Sequence, residues 1–128
     1  MKSLLLNCSL IIILLVSCSS PMNSTEIIGT PIKIENLEVA QNDFPDVMEW
    51  ESAVKACEKL GSGWRLPTKD ELDLMYSRKW YIGGFGNTSY FSSSEDGSSD
   101  IWLQDFKFGF KYSSGKYNYC CFRAVRSL

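Results

Sequence analysis

Between residues 50 and 60, apolar side chains recur at Trp50, Ala53, Val54, Cys57 and Leu60, while Glu51, Ser52, Lys55, Glu58 and Lys59 fall between them. That spacing predicts a helix with one buried stripe. The helix should stop at Gly61, because Gly61 and Gly63 take positive φ at little cost and let the chain turn back. Trp64, Arg65 and Leu66 then read as a short buried strand running into Pro67. Thr68 followed by Glu71 is a capping box, and Leu72, Met75 and Tyr76 give the second helix its apolar side. Upstream, Ile32, Ile34, Leu37 and Val39 suit one or two short strands that close a sheet. Residues 42–46 read as a loop, and Asp46 with Glu49 offers a capping box for the first helix.

Beyond the second helix the pattern shortens to strand-sized pieces. Residues 82–87 are glycine-dense and predict a loop, 88–93 a strand, and 94–100 a polar loop. A meander follows: 101–106, a turn near Lys107 to Gly109, 110–112, a turn at 113–116, and a closing strand over 117–126. Phe106, Phe108, Phe110 and Tyr112 also alternate as one uninterrupted strand would, but a turn at Gly109 is the preferred reading. Two helices packed on short antiparallel strands make an α+β domain of roughly one hundred residues, small for a single core. Trp50, Trp64, Trp80 and Trp102 are expected to enlarge that core.

The amino end reads as an address. Lys2 precedes an apolar run over 10–16, and Leu15-Val16-Ser17-Cys18 has the form of a lipobox. Residues 1–17 are therefore expected to be a lipoprotein signal peptide, with a plain secretory signal or a buried helix as the alternative. Cys18 would be the lipidated first residue of the mature chain, 18–30 a flexible tether, and 31–128 the domain. The expected location is the bacterial cell envelope, as an outer-membrane lipoprotein facing the periplasm or the surface. Removing residues 1–17 takes away Lys2 and no acid, leaving 12 basic against 15 acidic side chains, net −3. Nucleic acid is an unsuitable partner for that balance. Without a Lys/Arg-rich segment, membrane association is expected from the lipid alone.

Cys57, Cys120 and Cys121 remain in an oxidising compartment. A disulfide from Cys57 to Cys120 or Cys121 would tie the first helix to the last strand; the alternative is a Cys57 that is simply a small buried apolar residue. A bond between the neighbours Cys120 and Cys121 would strain their peptide. With no histidine and no CxxC, neither a metal nor a cofactor is expected. Ser92-Ser93-Ser94 has no base to activate a hydroxyl, so no catalytic residue is assigned. Arg65 is expected to pair with a carboxylate such as Glu71.

Taken together, WESAVKACEKL, GWRLPTKDEL, YFSSSE at 90–95, WLQDFKFG at 102–109 and FRAVR at 122–126 resemble, in this order, DUF1566-type domains, also called Lcl C-terminal domains. The resemblance spans 31–128 and implies a C-type-lectin-like fold, shared with formylglycine-generating enzymes. The glutamate-proline-asparagine signature of calcium-dependent sugar binding is absent, and adjacent Cys120-Cys121 does not match the copper-binding pair of the oxidases. The sequence also resembles bacterial lipoproteins of this fold whose terminal region is diversified by retroelements. By that resemblance Trp102, Phe106, Gly109, Arg123 and Arg126 are framework. Leu103, Asp105, Lys107, Phe108, Phe110, Tyr112, Tyr117 and Tyr119 are the displayed set, meeting a protein or glycan ligand. Tyrosines suit contact because they offer large, stiff, amphipathic area; the same aromatics could instead pack the sheet. An oxidase using Cys120 or Cys121 and a purely structural envelope protein are the competing functions.

Overall fold

The computed structural model describes residues 23–128, so the expected signal peptide and Cys18 lie outside the described residues. Asn23 accepts from the Glu26 amide at 2.9 Å, and the Glu26 carboxylate accepts from the Asn23 amide at 3.2 Å. This reciprocal cap starts α1 (Ser24–Ile28), which buries Ile27 in the cluster that also holds Phe44, Ala53 and Trp64. The expected tether over 18–30 is thus structured at its carboxyl end. Its polar composition concealed a capping box followed by two isoleucines.

β1 (Ile32–Ile34) and β2 (Leu37–Val39) form a hairpin, and β2 also pairs antiparallel with β6 (Val125–Ser127). The first strands form as expected, but the chain end joins them in a β1-β2-β6 sheet rather than ending the meander. α2 (Trp50–Glu58) buries Ala53 and Cys57. The Asp46–Glu49 box does not form: Glu49 itself is the cap, without a side-chain bond, and the Trp50 amide donates to the Lys116 carbonyl at 3.2 Å. A tertiary partner replaces the local one. Gly61, Ser62 and Gly63 all hold positive φ and reverse the chain, after which Trp64 enters the core at 3% exposure. Arg65 exchanges backbone hydrogen bonds with Val125, both at 2.8 Å, as a single bridge in place of the predicted short strand.

α3 (Lys69–Ser77) carries the Thr68–Glu71 box as predicted, and α4 (Lys79–Ile82) is one further turn that the pattern was too short to reveal. A second antiparallel sheet follows, with the order β3-β4-β5. β3 (Ser89–Asp96) outruns its predicted end, with a bulge between Phe91 and Glu95. β4 (Asp100–Asp105) turns at Gly109 into β5 (Lys111–Gly115), which continues where a turn was expected at 113–116. The long closing strand reduces to β6 and two isolated bridges, Cys120 to Met48 and Cys121 to Tyr90. Facing both sheets, that segment pairs with different partners along its length.

Two apolar clusters result. One gathers Ala53, Cys57, Trp64, Phe91, Leu103 and Phe122; the other gathers Leu72, Met75, Tyr90, Phe106 and Val125. Trp50 is half-buried and donates from Nε1 to the Ser92 carbonyl at 2.9 Å, while Trp102 is half-buried under the Lys69 ammonium, 3.5 Å from its ring centre. Trp80 does not serve the core, being 89% exposed.

Candidate functional site

Strand register decides which side chains meet. Phe91 lies opposite Leu103, and Leu103 opposite Tyr112, so these three share one face of the β3-β4-β5 sheet. The Met48–Cys120 bridge, with bonds of 3.3 and 3.1 Å, lays the loop carrying Val47 beside the segment carrying Tyr119. Between them opens a cleft of about 460 Å³, bordered by Val47, Thr88, Ser89, Leu103, Tyr112, Ser114, Asn118, Tyr119, Cys120 and Cys121. None of these side chains is Asp, Glu, Lys or Arg. The polar groups are held in place: Tyr112 and Ser89 share a hydroxyl hydrogen bond of 2.6 Å, Cys120 Sγ donates to the Ser89 carbonyl at 3.0 Å, and Asn118 Nδ2 donates to Ser114 Oγ at 2.6 Å.

Of the expected displayed set, Leu103, Tyr112 and Tyr119 come together here. Leu103 is buried at 5% exposure and forms part of the core rather than the display, because its strand position faces inward. Phe110 is not in the cleft's lining; it stands next to Tyr112, ring centres 5.7 Å apart, and remains 55% exposed. Asp105 is a turn cap, its carboxylate accepting from the Phe108 amide at 2.6 Å. Lys107 and Phe108 project from that same turn, and Tyr117 stands over a separate recess with Glu49, Ser98 and Lys116. Sequence reasoning missed Val47, Ser89 and Asn118. Val47 follows a loop-forming Pro45-Asp46, and nothing local shows that its neighbour Met48 pairs with Cys120.

The cysteines follow the second of the two readings. Cys57, Cys120 and Cys121 are free thiols, so neither of the considered disulfides with Cys57 is formed. Cys120 directs its sulfur to β3, and Cys57 is the small buried apolar residue of the alternative reading. Burial pushes both the Cys57 and the Cys120 thiol up to about 12, and burial also raises half-buried Cys121. Such thiols stay protonated near neutrality and make poor nucleophiles. Arg65 pairs with Glu71 as expected, through bonds of 2.7 and 2.9 Å. Among the described residues no group of three or more His, Cys, Asp or Glu is placed to hold a metal ion. The cleft can therefore offer aromatic faces, hydroxyls and an amide, with no acid–base pair.

Helices flanking two small antiparallel sheets have counterparts among solved structures. The chain matches the crystal structure of botrocetin with a TM-score of 0.58 at 12% identity, covering 78% of this chain and 98% of the other. It matches EMS16, an antagonist of the collagen receptor integrin alpha2beta1, with a TM-score of 0.60 at 12% identity, covering 77% and 97%. A complex of botrocetin with the von Willebrand factor A1 domain gives a TM-score of 0.56 at 12% identity, covering 78% and 98%. The fold is C-type-lectin-like. No protein-family model matches the sequence, and no curated protein matches it. In this C-type-lectin-like domain the neutral cleft lies between the β3-β4-β5 sheet and the segment leading to β6.

Proposed function

We propose that this chain is a non-enzymatic binding module that takes a neutral segment of a protein partner in the cleft between Val47 and Tyr119. The observation that carries the reading is an open cleft of about 460 Å³, free of charged lining, with Tyr119 left 66% exposed at its border and Phe110, 55% exposed, next to its Tyr112. Rigid aromatic rims around uncharged floors suit protein contact, since the rings contribute area at low entropic cost. EMS16 as an integrin antagonist and botrocetin in complex with the A1 domain are precedents for protein recognition on this fold. A neutral glycan is the second reading, favoured by the ordered Ser89, Ser114 and Asn118 groups beside Tyr119. Oxidase chemistry at Cys120 or Cys121 is disfavoured by two thiols held in the protonated form.

In this proposal a lipid on Cys18 anchors the domain to the bacterial envelope, as an outer-membrane lipoprotein, and the chain is a DUF1566-type domain whose stretch over 102–121 is diversified among related copies. The test is selection of displayed peptides on the immobilised protein, in parallel with an array of neutral glycans, each with and without a calcium chelator. Peptides that bind regardless of chelator support the reading. Chelator-sensitive glycan binding, or no ligand at all, overturns it. Related copies in one genome that vary no more over 102–121 than elsewhere would remove the diversification element alone.

A further inference from the structure

Trp80 is 89% and Phe108 71% exposed, which leaves two large rings in water where folding gains nothing from them. They belong to elements that meet. Lys79 of α4 donates from Nζ to the Phe106 carbonyl at 2.6 Å, lying 4.7 Å from the Tyr76 ring centre and 5.2 Å from that of Trp80. Gly109 presses its backbone on Tyr76 so closely that a Cβ there would come within 2.6 Å of the ring. α4 and the turn at 106–109 therefore build one edge. Two lysines stand on that edge: Lys107 Nζ lies 5.1 Å from the Phe108 ring centre, and among the described residues neither Lys79 nor Lys107 is in an ion pair. The Asp105 carboxylate at the same turn accepts from the Phe108 amide and keeps its charge, so the edge sets two lysines against one acid. On a chain of formal net charge −2, this edge is aromatic and locally basic.

We propose that the Trp80–Phe108 edge rests on an anionic lipid surface, with the rings at headgroup depth and the two lysines against phosphates. A chain of contacts links the edge to the residue that follows α1. Thr30, just after α1, donates to Gln41 Oε1 at 2.8 Å, the Gln41 carbonyl would lie 3.7 Å from a Cβ on Gly84, and Gly84 borders the same recess as Trp80. An acylated Cys18 would bring the domain to a bilayer of the kind that the edge suits. That step rests on the anchored reading above; the aromatic and basic composition does not. The edge thus adds a second membrane contact to the lipid.

The mature chain from residue 18, carrying Cys18→Ser so that it cannot be acylated there, is titrated with vesicles of phosphatidylethanolamine and phosphatidylglycerol bearing brominated acyl chains. Tryptophan emission should be quenched saturably, and the quenched component should vanish in Trp80→Phe. Lys79→Gln and Lys107→Gln should each raise the half-maximal lipid concentration about five-fold, and phosphatidylcholine vesicles should give no quenching of Trp80. Vesicle binding that leaves Trp80 unquenched, equal quenching in phosphatidylcholine, or no binding overturns the proposal. The intact mass of the amino-terminal peptide from the unmodified protein reports acylation separately. An unacylated Cys18 with quenched Trp80 would remove the anchor and leave the edge standing.

Discussion

Arg123 donates from Nε to Asp43 Oδ1 at 2.6 Å with its side chain wholly buried. The same guanidinium donates from Nη1 to the Gly83 carbonyl at 2.8 Å and lies 3.9 Å from the Phe85 ring centre, while Tyr90 gives its hydroxyl proton to the other Asp43 oxygen at 2.5 Å. Three separated segments are joined through this one carboxylate. Removing one partner of such a pair leaves the other desolvated, so Arg123→Met should cost about 3 kcal/mol or more by urea denaturation. Arg123→Met with Asp43→Asn should cost less than the sum of the single changes, because the uncompensated carboxylate is gone. Additive losses would contradict the pairing.

Acid should loosen the start of α3. Hydrogen bonding from Arg65, opposed by burial and aided by the Thr68 amide, holds the Glu71 carboxyl below its ordinary value of 4.5. A carboxylate depressed in the folded state contributes stability above its unfolded pKa and loses it as pH falls through the lower folded value. The thermal midpoint should therefore decline below about pH 4.5, and Glu71→Gln should flatten that decline. Arg65 is 34% exposed, so screening limits the ion pair to about 1 kcal/mol. Asp73, lowered first by Gln104 and then by Lys111, acts in the same direction at lower pH.

Reducing agent should leave the thermal midpoint unchanged. Native alkylation at pH 8 should label Cys121 slowly, and Cys57 and Cys120 only after unfolding, since burial keeps those two protonated. A cross-linked peptide containing Cys57 and Cys120 under non-reducing digestion would contradict this.

Gly109 has φ +91, and a Cβ there would meet the Tyr76 ring. Gly109→Ala should destabilise by about 1–3 kcal/mol, read by the same denaturation.

Local chemistry accounts for what the sequence disclosed. The α2 stripe, the Thr68–Glu71 cap, the Gly61 and Gly109 reversals and the Arg65–Glu71 pair each rest on neighbours within a few residues or on one period of repeat. What escaped depends on distant partners. The amide of Trp50 is met by Lys116, which no capping rule anticipates, and the segment from Tyr117 to Arg126 is divided between two sheets by bridges to Met48, Tyr90 and Arg65. The candidate site was legible to the extent that its aromatics crowd the carboxyl-terminal third. Sorting Leu103 into the core, Asp105 into a turn cap and Phe108 onto a different edge required the β4–β5 register.

The central claim is that the exposed aromatics at and beside the cleft bind and do not fold the protein. Phe110→Ser with Tyr119→Ser, measured for affinity to a selected peptide and for stability side by side, tests it most directly. The account predicts at least about a 30-fold loss of affinity, as for removal of central aromatic contacts, with stability changed by no more than about 0.5 kcal/mol. Undiminished affinity, or unfolding that accompanies its loss, would contradict it.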